Sequence, residues 1–180
     1  MFKHVSGKES LKRWVDSQNV EGFTALHFAA FHGNYSIMNA LVEEAKADMS
    51  LANKSGCTVL HLAAQGNRAT SIYYFAGLHW QDINVRDSRK STPLHWACFT
   101  KSEAAQNYIM SIKGVDLDAQ DENGLSPLHI AVQSVETLKS TRPVKALLLR
   151  GASRTVRDNK GRTPSDLIGQ GLPKSLRSDL

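Results

Sequence analysis

One six-residue pattern returns along this chain at a fixed distance. Thr24-Ala25-Leu26-His27-Phe28-Ala29 is followed by Thr58-Val59-Leu60-His61-Leu62-Ala63, Thr92-Pro93-Leu94-His95-Trp96-Ala97 and Ser126-Pro127-Leu128-His129-Ile130-Ala131, each step being 34 residues. A fifth, decayed copy, Thr163-Pro164-Ser165-Asp166-Leu167-Ile168, comes after 37. Five residues before each Thr or Ser stands a turn former, in order Asn19, Asn53, Asp87, Asp121 and Asp158. Two residues before stands Gly22, Gly56, Gly124 or Gly161, with Lys90 the one departure. A period of this length calls for like supersecondary units stacked along an axis, each touching only its neighbours.

The residue types say what each unit is. Asn or Asp followed by Gly makes a β-turn. The Thr or Ser after it caps a helix, and Pro93, Pro127 and Pro164 occupy the first helical turn, where a missing N–H costs nothing. Leu26, Ala29, Ala30 and their equivalents put small and apolar residues on one face, so neighbouring helices approach closely. A second helix carries Ile37, Met38, Leu41 and Val42 in the first unit, Tyr108, Ile109 and Ile112 in the third, and Val144, Leu147, Leu148 and Leu149 in the fourth. The segment 135–141 accounts for the longer last step, with Ser140 or Thr141 capping a helix that begins at Pro143. The expected fold is an all-α solenoid of about five stacked β-turn/helix-turn-helix repeats, at 19–52, 53–86, 87–120, 121–157 and a partial cap at 158–168. Residues 1–18 precede it as a capping helix around Leu11-Lys12-Arg13-Trp14-Val15, and 169–180 follow as a tail.

Composition narrows the setting. Apolar residues are 41% of the chain and charged residues 22%, ordinary for a globular protein. No apolar run reaches the 18 or so residues of a membrane span, and the start lacks the apolar core of a signal peptide. Cys57 and Cys98 alone give neither a disulfide framework nor a zinc spacing, which points to a reducing, cytoplasmic compartment. The net charge of +5 is lopsided: residues 1–144 are neutral, whereas 145–180 hold eight Lys and Arg against three Asp. Such an end can face an anionic membrane surface or simply be a solvated cap. Nucleic acid is not expected, because no aromatic residues interleave with those cations.

No catalytic constellation emerges, and no metal or cofactor is expected. His27, His61, His95 and His129 recur in register, but stacked helices lie about 8–10 Å apart, against zinc–nitrogen bonds of about 2 Å. A repeated His at a turn–helix junction is instead a hydrogen-bonding strut between repeats. His4, His32 and His79 lack partners at ligand spacing. Cys98 falls at a small-residue packing position, and Cys57 falls in a turn that would leave it open to solvent, with no neighbouring His or Asp pattern to activate it.

The pattern resembles the ankyrin repeat over residues 19–168. That resemblance implies a non-catalytic protein-interaction domain, monomeric, binding a protein or peptide segment in a concave groove formed by turn tips and inner helices. Carried over by position, the tips contribute Arg89, Asn123 and Leu125, and the inner helices contribute Phe31, His32, Gln65, Trp96 and Phe99. Trp96 and Phe99 lie three apart and share a face, and with Phe31 they would form an apolar stretch; alternatively Trp96 fills the space between repeats.

Within that family the chain is most similar to the N-terminal domains of ankyrin-repeat Asp-His-His-Cys palmitoyltransferases, especially protist ones. The stretches that carry the similarity are Asn84-Val85-Arg86-Asp87 with Ser91-Thr92-Pro93-Leu94-His95-Trp96-Ala97, Gly124-Leu125-Ser126-Pro127-Leu128-His129-Ile130-Ala131-Val132, and Ser140-Thr141-Arg142-Pro143-Val144 with Leu147-Leu148-Leu149-Arg150-Gly151-Ala152. The similarity implies that Trp96 lines a substrate-peptide groove with Gln65 beside it. It also implies that a membrane-bound catalytic domain lies elsewhere in a longer protein, on the cytosolic face of an endomembrane. A free-standing cytosolic ankyrin adaptor would share every repeat feature.

Overall fold

The computed structural model describes residues 12–78 and 82–168; His4, His79, most of the N-terminal cap and the tail lie outside them. Four inner helices, Ala25–His32, Val59–Gln65, Pro93–Phe99 and Pro127–Leu138, stack side by side. Behind them run outer helices Tyr35–Asn39 (continued by a π turn, Ala40–Glu44), Ala69–Gly77, Glu103–Ile109 and Arg142–Leu149. A 3₁₀ turn, Pro164–Leu167, closes the stack, and no strand occurs among the described residues. The core is the seam between the two layers, where Leu26, Leu60, Leu94 and Leu128 are each at most 1% exposed. At the near end, a helical turn at 12–15 buries Val15 and leaves Trp14 exposed.

Each repeat begins the same way for the same reason. The Oδ1 atom of Asn19, Asn53, Asp87, Asp121 and Asp158 accepts two backbone N–H bonds, from the residues two and four positions on, at 2.8–3.0 Å. One backbone bond then ties each tip to the next: Lys54 to the Glu21 carbonyl, Ser88 to Ser55, Glu122 to Arg89 and Asn159 to Asn123, all 2.8–3.0 Å. The glycine position has positive φ throughout, and Lys90 adopts +60° there, so it fills a glycine conformation at some cost.

The recurring histidines are struts. Each Nδ1 accepts the backbone N–H of its helix-capping Thr or Ser at 3.1–3.2 Å, which fixes the proton on Nε2. Each Nε2–H then donates to a carbonyl of the following repeat, Cys57, Ser91, Leu125 or Arg162, at 3.0–3.1 Å. In the fifth repeat Asp166 stands in the histidine's place and takes the N–H and hydroxyl of Thr163 at 2.8 Å.

The inner-to-outer turn shows why the fourth repeat is longer. Just past the inner helices, Gly33, Asn67 and Lys101 turn the chain in the left-handed conformation, at φ of +73°, +57° and +63°. The next position in the 34-residue register is Val135, whose branched Cβ resists that conformation. The helix therefore runs one turn further and ends at Lys139, φ +49°. The following helix starts at Arg142, one residue ahead of the expected Pro143, with Thr141 as its N-cap.

Three packing expectations need correction. Ile37 is 48% exposed and Leu149 88% exposed, because the outer helices have an outward face that the periodicity alone does not distinguish. Cys57 is 2% exposed, since its side chain tucks beneath the turn whose tip residues face solvent.

Candidate functional site

The register places two columns of side chains on the concave face. Phe28, Leu62, Trp96 and Ile130 stand one residue after each strut histidine, and Phe31, Gln65, Phe99 and Gln133 stand three further along the same helices. The turn tips form the opposite wall.

Two adjoining depressions lie between the columns and the tips. In the first, Trp96, Leu62 and Gln65 face Phe23, Lys54 and Arg89 across the first three repeats. In the second, of about 280 Å³, Trp96, Phe99, Leu125 and Ile130 face Asp121 and Asn123 across the third and fourth. Trp96, with Asp87 and Arg89, lines both.

Trp96 is neither a core nor a free surface residue. It is half-buried, with its ring edge-on to the His61 imidazole at 6.3 Å. Its indole Nε1–H donates to Oδ2 of Asp87 at 2.9 Å, the same carboxylate whose other oxygen organises the turn. The ring is thereby locked in orientation with one face open to the groove. Phe99, 71% exposed, extends that apolar wall. Gln65 is half-buried; its backbone carbonyl accepts the Ser102 hydroxyl at 3.3 Å, and its side-chain amide faces the first depression.

The other expected residues divide. Arg89, Asn123 and Leu125 line the second depression, with Arg89 paired to Glu122 at 3.1 Å. Phe31 and His32 line neither; they pack edge-on at the end of the first inner helix, ring centroids 5.1 Å apart. The apolar stretch running from Phe31 to Trp96 and Phe99 does not form, because Gln65 interrupts its column. Asp87, Leu62 and Ile130 were missing from the expected set. Reading the Trp96 position back and forward by 34 residues would have found the last two.

The two thiols are held in the protonated, weakly nucleophilic form. Burial pushes the Cys57 thiol up to about 12, the Asp87 charge adding to the effect, and burial alone pushes Cys98 up as well. Burial lowers His27, His61 and His95, which favours the neutral ring in these three struts. Among the described residues no three His, Cys, Asp or Glu side chains gather to hold a metal, and no helix is long and apolar enough to cross a membrane.

A family model described as ankyrin repeats, three copies, matches residues 4–87 and 69–158. No curated protein matches the chain. With the repeat register, the stacked turn–helix units and this match in agreement over most of its length, the chain belongs to the ankyrin-repeat family.

Proposed function

We propose that this ankyrin domain is the substrate-recognition module of a membrane-bound protein palmitoyltransferase, taking up an extended peptide segment in the groove at Trp96. Ankyrin repeats are protein-interaction units, and the chain's own chemistry fits that role. The observation that carries the finer reading is Trp96 itself. A tryptophan after the strut histidine, sharing a depression with Gln65 of the preceding repeat, is the pairing that the family resemblance implies, and Asp87 holds the indole in place. A rigid, half-buried indole offers large contact area at little entropic cost, and the Gln65 amide can pair with a peptide backbone through either end.

The basic end supports a membrane-facing placement on the cytosolic side. Arg150, Arg157 and Arg162 are engaged internally, by the Met110 carbonyl, the Gly161 carbonyl and Asp158. Lys145 and Arg154 remain exposed around Leu148 and Leu149 on the last outer helix, with Lys160 on the final tip. Cations flanking the exposed Leu149 suit an anionic lipid surface.

The reading frame beyond the codon for Leu180 tests the assignment. Apolar spans and an Asp-His-His-Cys motif are expected there, and a stop codon in their place would assign the chain to free-standing ankyrin adaptors.

A further inference from the structure

The five turn-forming side chains use Oδ1 alike, and the three aspartates among them differ in what meets their second oxygen. Oδ1 always organises the turn. Oδ2 of Asp87 accepts the Trp96 indole N–H at 2.9 Å. Oδ2 of Asp158 is held by the Arg162 guanidinium at 2.7–2.9 Å. In the fourth repeat Asp121 spends only Oδ1, on the N–H groups of Asn123 and Leu125 at 2.8 and 2.9 Å. The residue that would match Trp96 is Ile130, which has no donor, and Leu125 stands in Ser91's place. No described residue donates to Asp121 Oδ2, and Asp121 lines the second depression beside Trp96, Phe99, Leu125 and Ile130.

The charge around that oxygen points one way. The depression also carries Asp87 and Glu122, and its one cation, Arg89, is already paired with Glu122 at 3.1 Å. An anionic segment would meet an excess of carboxylates there. A half-buried carboxylate with one open oxygen, set against an apolar wall, complements an aliphatic or aromatic side chain with a cation close by. One open oxygen also suits the point donor of a lysine as well as it suits an arginine.

We infer that the second depression selects a peptide in which an apolar side chain, seated on Trp96 and Phe99, lies within two residues of a Lys or Arg whose charge meets Asp121. This rests on the groove at Trp96 being the binding site, and adds to it the chemistry of the partner. Asp121 then acts as a specificity residue, distinct from Asp87, which orients the indole.

Random heptapeptides displayed on phage and selected against the 180-residue chain test this. The wild type should enrich peptides with an apolar residue next to a basic one. Exchanging that basic residue for Gln in the selected peptide should weaken binding about tenfold, the size of one charged hydrogen bond. On Asp121→Asn the same exchange should change affinity less than about twofold. The variant keeps its turn, because Asn19 and Asn53 already make the same bonds from the same position, and the peptide-side exchange reads the contact on unaltered protein. Peptides that require Trp96 but carry no basic residue, or whose basic residue matters equally on Asp121→Asn, would overturn the Asp121 assignment alone. Peptides indifferent to Trp96→Ala, or no enrichment at all, would overturn both it and the groove on which it rests.

Discussion

A strut histidine holds two backbone groups that would otherwise be buried without partners, a capping-residue N–H on one side and a carbonyl of the next repeat on the other. The arrangement works only with a neutral ring, since a second N–H at Nδ1 would face the N–H it now accepts. Burial, opposed in part by the bond to the next repeat's carbonyl, lowers His27, His61 and His95 below the ordinary value of 6.5. The unfolded chain therefore binds more protons than the folded one as pH drops below about 6.5. Stability from these rings is complete above that pH and is lost as pH falls toward the lowered folded-state values. The carboxylates Asp48 and Asp166, also lowered, begin to contribute losses only below about their ordinary value of 3.8. Urea midpoints at pH 7.5 and pH 5 isolate the histidines: the midpoint should fall, and an unchanged or higher midpoint at pH 5 would remove the neutral-strut interpretation.

Residue identities made much of this scale legible. The histidine register and the capping Thr and Ser stand in the sequence at fixed spacing, so the struts follow from pattern and geometry together. The partner of Trp96 did not, because Asp87 looks like any other turn former and only coordinates reveal where its second oxygen points. Cys57 misled for a related reason, since a turn position says nothing of which side the thiol takes.

At the level of elements, the stack is held by backbone proximity as much as by side chains. Gly66, which ends the second inner helix at φ −75°, is needed for space and not for a left-handed turn. A Cβ there would run into the Phe31 carbonyl, with the Phe31 carbonyl carbon at 2.9 Å and Cα at 3.2 Å. Backbone cannot swing aside as a flexible side chain can, so the first two repeats would have to part. Gly66→Ala should destabilise the domain by about 1–3 kcal/mol, the usual cost of overpacking, read as a lower midpoint in denaturant. A midpoint unchanged by the substitution would show that the repeats are more loosely coupled than the contact implies. The longer fourth repeat is the element the sequence half revealed. The extra residues were countable, but their use as an extension of the inner helix depended on Val135 refusing a left-handed turn. The outward faces of Ile37 and Leu149 were invisible for the opposite reason: a stripe of apolar residues does not say how wide a face its neighbours cover.

The whole molecule combines a groove near its middle with a cationic far end. Replacing Lys145, Arg154 and Lys160 by Gln should weaken binding to phosphatidylserine-containing vesicles on the order of 100-fold at low salt, at about 1 kcal/mol for each cation near such a surface. A wild-type domain that ignores those vesicles would remove the membrane-facing placement. The groove's existence was legible from the repeat, while its division into two depressions around one clamped tryptophan was not. Trp96→Ala tests the groove most directly, with thermal unfolding and affinity for a selected peptide measured on the same protein. The half-buried, singly bonded indole should cost about 2 kcal/mol of stability, below the 3–5 kcal/mol of a fully buried aromatic, and leave the variant folded. Its peptide affinity should drop at least about 30-fold, the mark of an anchoring residue. A folded Trp96→Ala domain that binds the peptide as tightly as wild type would contradict the assignment of this groove.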